Sequence, residues 1–459
     1  MTSIRTSLLI RGGTVVNDSG ARRADVRVGG DRITRVRLNL RPGASEQVID
    51  AGGLWLLPGG IDPHAHLSCP RSDPSEEIWV DDFESGTRAA LAGGITSVGS
   101  IAFPLPGETP LMTLERERAA ARGTALTDVF FHPVLQEPTP AAIDSIDTLR
   151  DAGCRSLKIF MSSRDFDPGI ERFAAAIRRA GQNGLVVMLH CEDFGVISAA
   201  RDRLAAEHLT GLAHYAGSRP VEAEAAAVHR AIALAHAAET EIYIVHLSSR
   251  HALDACIDAR HRGQTVHIET RPIYLHFTDD RYRTPDGPLF VGQPPLRTQA
   301  DIDYLWKHLE RGTIDVIASD HAPWTREQKM NPALTIFDLR PGMENLQTML
   351  PVLFSEGVVQ GRISPSRFVR VTSSNAARIF GLYPRKGTIR EGSDADIALW
   401  DPEGCFTIRN EDLFSRAGHS VFAGFEGKGC PVCVIRHGYP MWFRSQRGFR
   451  EKSPRTSSP

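Results

Sequence analysis

The sequence predicts an α/β protein: a (β/α)8 barrel joined to a small β domain. In the middle of the chain, apolar runs of strand length alternate with alanine-rich helical stretches. At both ends, apolar and polar residues alternate over short runs between glycine turns. Several of the central runs finish on a histidine or an aspartate.

In chain order, the stretch to about Gly53 comes first. Residues 7–17 and 24–36 read as short antiparallel strands separated by Asp18-Ser19-Gly20. Eight apolar runs follow, at 54–66, 95–101, 127–135, 156–161, 185–192, 241–249, 265–271 and 315–320. Helical stretches lie between most of them, such as 82–92, 170–182 and 221–238. Such alternation implies parallel strands covered by helices, and eight units suit a closed barrel with its chemistry at the C-terminal strand ends. A doubly wound open sheet is the alternative, but no G-x-G-x-x-G or P-loop marks a nucleotide-binding version. The alternating pattern returns at 396–400 and 432–435, so both chain ends are expected to build one β domain. Residues 448–459 are polar and rich in serine and proline and read as a disordered tail.

Composition narrows the function. The chain has 459 residues, of which 41% are hydrophobic, enough for a large core and more than one domain. A net charge of −2 gives no electrostatic case for nucleic acid or anionic membrane. No apolar run is long enough to span a bilayer, and Met1 to Arg11 lacks the apolar stretch of a signal peptide. Seven scattered cysteines argue against a disulfide framework and fit a reducing cytoplasm. Cys430-Pro431-Val432-Cys433 has no second cysteine pair near it and reads as structural.

The strand ends carry the chemistry. In Ile61-Asp62-Pro63-His64-Ala65-His66, the two histidines are i and i+2 and share one face of a strand. His190 ends the fifth run, His246 the sixth and Asp320 the eighth, while Lys158 lies in the fourth. Singly, each has a bland explanation: a solvated histidine, a helix-capping aspartate, a lysine paired inside the barrel. Together, imidazoles and a carboxylate suit zinc or a similar divalent ion. A buried lysine loses its proton readily, and the neutral amine can take up carbon dioxide. The resulting carbamate offers two anionic oxygens able to bridge two metals, which in turn activate a bridging hydroxide.

At these residues the chain resembles the cyclic amidohydrolases of the hydantoinase/dihydropyrimidinase group. The likeness runs through Gly60–Leu67, Ala89–Thr96, Leu157–Met161, Ser319–Pro323 and, most specifically, Ser374–Leu382 with Gly387-Thr388-Ile389 and Gly392–Ile397. It implies a barrel over 54–383, and a β-sandwich from 1–53 and 384–447. It also implies two zinc-like ions bridged by N6-carboxylated Lys158. His64, His66 and Asp320 would hold the more buried ion, and His190 and His246 the other. Asp320 would carry the proton from the hydroxide to the leaving nitrogen of a cyclic amide. Scaffold relatives of dihydropyrimidinase have lost ligands from this set, whereas here every position is filled. Family members are commonly tetramers, which implies a homo-oligomer, dimer or tetramer.

The expected substrate pocket departs from the family pattern. Ser163 stands where hydantoinases carry an oxyanion-stabilising tyrosine, Gln293 where serine is common, and Asp338 where an asparagine binds the substrate ring. Ser68 replaces the carboxylate-binding arginine of dihydroorotases. Allantoinases also lack the tyrosine, so a ureide substrate stays open beside hydantoins, dihydropyrimidines and related imides. A scaffold without turnover is the other alternative. Arg71, Arg164, Arg271 and Arg340 are candidate oxyanion partners, with Arg271, at the end of the seventh run, foremost.

Overall fold

The computed structural model describes residues 7–68 and 78–444, and Gly448–Phe449 as backbone. Arg71 and residues 450–459 of the expected tail lie outside the described residues.

The amino-terminal block is more finely divided than its alternation suggests. It holds β1 (Ser7–Arg11), β2 (Thr14–Asn17), β3 (Gly20–Arg23), β4 (Asp25–Gly29), β5 (Arg32–Arg37) and β6 (Gln47–Asp50). The turn expected at Asp18-Ser19-Gly20 closes a hairpin between β2 and β3, with Asn17 opposite Gly20.

The apolar run at 54–66 is two strands. β7 (Trp55–Pro58) belongs to the sandwich and β8 (Gly60–Ala65) opens the barrel. Gly59 is the point of transfer. A Cβ there would lie 2.1 Å from Oγ1 of Thr96, so only glycine lets the chain pass. Its N–H donates to the Asp396 carbonyl at 2.9 Å, and its own carbonyl accepts from the Ser373 hydroxyl at 2.8 Å.

The barrel continues through β9 (Ile95–Ala102), β10 (Asp128–Pro133), β11 (Ser156–Phe160), β12 (Val186–His190), β13 (Ile242–Ile244), β14 (Val266–Thr270) and β15 (Val316–Ile317). Among the described residues these eight strands form two parallel sheets, β10-β9-β8 and β11-β12-β13-β14-β15. Parallel bridges between Val134 and Lys158 and between Ala65 and His321 close them into a ring. Every residue of β8, β9, β12 and β13 is buried, as expected of strands covered on both faces.

The covering helices follow their sequence signals. Phe83–Ala92 starts on an Asp82 capping box. Ile170–Gln182 buries Phe173, Ala176, Ile177 and Ala180, one stripe at helical spacing. Gln299–Arg311 stops at Gly312, whose φ of +83° is the left-handed conformation glycine adopts freely.

The specific stretch after Ser374 seals the barrel. Ala376, Ala377 and Phe380 pack with Ile61, Ile101, Tyr243 and Val316 from the strands. Gly387 follows in a tight approach, where a Cβ would stand 2.6 Å from that of Ala377.

The chain then returns to the sandwich through β16 (Ile397–Thr407), β17 (Glu426–Arg436), β18 (Tyr439–Phe443) and β19 (Gly448–Phe449), the last pairing with β18 where the tail was expected. One sheet runs β5-β4-β1-β6 and the other β19-β18-β17-β16-β7-β2-β3, so strands from both chain ends lie side by side. Their shared core includes Leu8, Ile10, Val26, Leu56, Ile397, Leu399 and Ile435. Each such side chain contributes about 1.5–3 kcal/mol of burial. Cys430 and Cys433 pack into different clusters, which fits the structural reading of that pair.

Candidate metal centre

The strand ends bring five of the expected donors to one place. His64 lies in β8 and His66 just beyond it. His190 is the last residue of β12. His246 and Asp320 follow β13 and β15 in left-handed backbone, at φ +37° and +46°. Positive φ in a non-glycine residue stores strain, and such strain clusters at functional sites.

The four imidazoles form a chain. Ring centroids are 5.5 Å apart for His66 and His64, 5.4 Å for His64 and His246, and 4.6 Å for His246 and His190. Oδ1 of Asp320 stands 3.1 Å from Nε2 of His66 and 3.4 Å from Nε2 of His64. Donor atoms of these three residues lie within 4.8 Å of one another, close enough to share one ion. Nδ1 of His190 and Nε2 of His246 are 2.9 Å apart and form a second pair of donors.

Outer carboxylates orient the rings. Oε1 of Glu269 is 2.8 Å from Nδ1 of His64 and accepts the His246 N–H, while Oε2 accepts from the Tyr243 hydroxyl. Glu192 is 2.8 Å from Nε2 of His190 and is clasped by Arg219. A carboxylate on one ring nitrogen fixes the tautomer and leaves the other nitrogen for a metal. His321 joins Asp81 at 2.9 Å, tying the segment after Asp320 to the one that carries Trp79.

Burial sets the protonation states. It pushes His66 down to about 4 and depresses His190 and His246, so these imidazoles are neutral and able to ligate. Burial pushes Lys158 down to about 8. It would raise Asp320, but Arg271, then His64 and His66, hold that carboxyl well below its usual range. Burial also opposes ionisation of Glu192, yet Arg219 and His190 bring it to about 2.

Lys158 is fully buried in β11. Among the described residues, its Nζ makes no hydrogen bond, and neither do Nδ1 of His66 and Nδ1 of His246. Orphaned buried donors beside neutral imidazoles and an anionic carboxylate fit a site built to hold cations and an anionic bridge.

Above the donors lies a cavity of about 120 Å³. Its walls are Trp79, Phe103 and Phe160, with Ser162, Gln293, Pro341 and Gly342. Nζ of Lys329 donates to the carbonyls of Val291, Arg340 and Gly342, which pins the loop behind this wall. A larger cavity of about 400 Å³, with Phe406, Phe414, Pro431 and Trp442 on its walls, shares none of these residues.

Of the expected substrate contacts, only Gln293 lines the small cavity. Ser163 sits in the turn after β11, and its neighbour Ser162 reaches the wall instead. Asp338 is exposed and accepts from the Thr335 hydroxyl. Arg271 is buried behind Asp320. Arg164 is exposed, and Arg340 packs on the Trp324 ring. Sequence reasoning missed Glu192, Glu269 and the aromatic wall. The two carboxylates left a usable trace, an acid inside or just after an apolar barrel strand; the aromatic residues come from separate loops and left none.

The amidohydrolase family model matches residues 55–441. The chain belongs to the amidohydrolase family, as a hydantoinase-type cyclic amidohydrolase. It is 35% identical over 434 residues to the D-phenylhydantoinase of Escherichia coli O7:K1, covering 94% of this chain and 93% of the relative. The dihydropyrimidinase of Brevibacillus agri NCHU1002 superposes with a TM-score of 0.91 at 34% identity, covering 97% of this chain and 96% of that one. D-hydantoinase of Bacillus sp. AR9 gives 0.92 at 34%, covering 98% and 97%. Among the described residues, no helix is long and apolar enough to cross a membrane.

Proposed function

We propose that this protein opens the amide C–N bond of a small cyclic amide at a two-metal centre. The observation that carries this reading is the convergence of His64, His66, Asp320, His190 and His246 on one cavity, with a buried Lys158 whose Nζ makes no hydrogen bond. His64, His66 and Asp320 would hold one ion and His190 and His246 the other, with zinc the best match to this donor set. Lys158 would supply an anionic carbamate ligand to them: its neutral amine would add to carbon dioxide, forming an N–C bond and releasing a proton. When bound, the two ions supply a nucleophile from water at neutral pH and polarise the ring carbonyl.

The chain's own residues do the rest. Asp320 accepts the proton of the attacking water and returns it to the leaving ring nitrogen. Glu269 and Glu192 keep His64 and His190 in the ligating tautomer. Gln293 offers an amide to the ring, and Trp79, Phe103 and Phe160 exclude water from it. A cavity of about 120 Å³ suits a five- or six-membered ring with a modest substituent. The protein acts in the cytoplasm as a homo-oligomer, in keeping with its scattered cysteines and its family likeness.

Elemental analysis and a ring-opening panel of hydantoins, dihydrouracil, allantoin and cyclic imides test this reading. Metal near two equivalents and turnover of at least one ring are expected. Asp320→Asn keeps the shape of a helix cap but not the base, and kcat falls by about 10²–10⁴-fold with circular dichroism unchanged. A metal-replete Asp320→Asn enzyme with wild-type kcat removes Asp320 from the mechanism. A metal-loaded wild type inert on the whole panel removes the reaction.

A further inference from the structure

Arg271 follows directly on β14 and is 0% exposed, among the largest side chains that the fold buries completely. It does not line the cavity. Its guanidinium turns instead to the residues that end the eighth strand. Nη1 lies 2.9 Å from Oδ2 of Asp320, at an angle that makes this an ion pair rather than a hydrogen bond. Nε donates to the Ser319 carbonyl at 3.1 Å, and Nη2 reaches the Asp320 carbonyl at 3.5 Å. Asn345 donates to the same Ser319 carbonyl at 3.3 Å.

The two oxygens of Asp320 are thereby divided. Oδ1 faces His66 and His64, and Oδ2 faces the guanidinium. A carboxylate is free to rotate, and either oxygen can serve as ligand unless something distinguishes them. Backbone at φ +46° is strained for a non-glycine residue, and surrounding contacts must offset that strain. Arg271 meets both needs, because one planar fork reaches the side chain and the two carbonyls that flank it. An ammonium at this depth has the charge but not the spread of donors.

We infer that Arg271 is a positioning residue, which fixes Asp320 in its strained conformation with Oδ1 toward the metal-binding histidines and makes no contact with substrate. This inference rests on the proposed role of Asp320.

The test uses full-length protein carrying Arg271→Met or Arg271→Lys, with kcat and KM on the best ring of the panel, metal content after dialysis against chelator, and circular dichroism. A misplaced catalytic group costs about 10²-fold. Arg271→Met is expected to lose kcat by that order with KM within about threefold of wild type, the mark of an interaction that does not serve ground-state substrate binding. Arg271→Lys recovers part of the loss, and added methylguanidinium restores part of Arg271→Met. A rise in KM of tenfold or about that with kcat retained overturns the inference, because it places the guanidinium on substrate. If Arg271→Met does not fold, the same split in Arg271→Lys decides. If wild type opens no ring, the proposed reaction fails, and metal retention decides on its own. Loss of one of two metal equivalents from Arg271→Met then supports positioning, and full retention overturns it.

Discussion

Lys158 and Lys386 are both buried, one inside the barrel mouth and one where barrel and sandwich meet, and their surroundings are opposite in kind. Nζ of Lys158 has no hydrogen-bond partner among the described residues. Nζ of Lys386 is surrounded by three carboxylates, in contact with Asp128 and Asp396 and 3.1 Å from Asp394. Asp128 also takes Arg436 and His437, so that cluster joins β10 to the sandwich. Asp128, Asp396 and His437 are near enough together to hold an ion, as are His64, His66 and Asp320. What separates the two groups is how much of each the cations present satisfy. Lys386 and Arg436 face the interdomain carboxylates, whereas at the mouth Arg271 faces one oxygen of Asp320 and leaves neutral imidazoles and a low-pKa lysine with nitrogens that make no hydrogen bond. Unspent imidazole and amine nitrogens, more than the bare grouping of histidine and carboxylate, mark the metal centre.

Removing each ammonium should therefore produce different kinds of damage. Lys158→Ala is expected to bind little metal and to lose activity to background, with circular dichroism unchanged. Short carboxylic acids added to it should restore part of the activity by standing in for the lost bridge. Full metal occupancy in this variant would break the comparison. Lys386→Met should lose about 3–5 kcal/mol of stability in urea, because it leaves carboxylates buried without a counter-charge. Its kcat per folded molecule should stay at the wild-type level. A variant with wild-type stability would show the interdomain cluster to be ornamental.

A third measurement reads the contrast as pH dependence, in metal-free protein. Lys158 titrates at about 8 when folded and at 10.5 ordinarily. Between those values the unfolded chain binds more protons, so the Lys158 contribution to stability rises with pH, by on the order of 3 kcal/mol. Lys386 is raised above 10.5 by its carboxylates, against the pull of burial. Its contribution is fully present below 10.5 and fades only as pH climbs through the higher folded value. Subtracting the stability of Lys158→Met from that of wild type should give a difference that rises from pH 8 to 10.5. The same subtraction with Lys386→Met should stay flat up to about 10. Two parallel curves would erase the distinction.

Much of the fold was legible because buried parallel strands and their helices write distinct periods into the chain. The helix at Ile170–Gln182 has the predicted bounds. The run at 54–66 was read as one strand because β7 and β8 are both apolar, and periodicity does not report a change of sheet at Gly59. At the site, spacing brought out His64, His66, His190, His246 and Asp320, since a strand dictates where its end residues point. Ser163 and Asp338 came from the family pattern rather than from spacing, and neither they nor Arg271 line the cavity. The first two sit in irregular segments, where position along the chain says little about direction. Arg271 points into the protein to meet Asp320, a long-range pairing with no local trace.

Passage through Gly59 also orders events during synthesis. β7 has β2 for one neighbour, made moments earlier, and β16 for the other, made after the whole barrel. β8 likewise closes the ring only when His321 arrives to pair with Ala65. β7 and β8 thus each leave the ribosome with an unsatisfied edge and keep it for most of translation. Pairings this distant form slowly and leave the nascent chain exposed to aggregation. A chain stopped short of Ile397 would lack β16, the partner of β7, as well as the last strands of the sandwich, so truncation at the carboxyl end disables a domain whose other strands lie near the amino end.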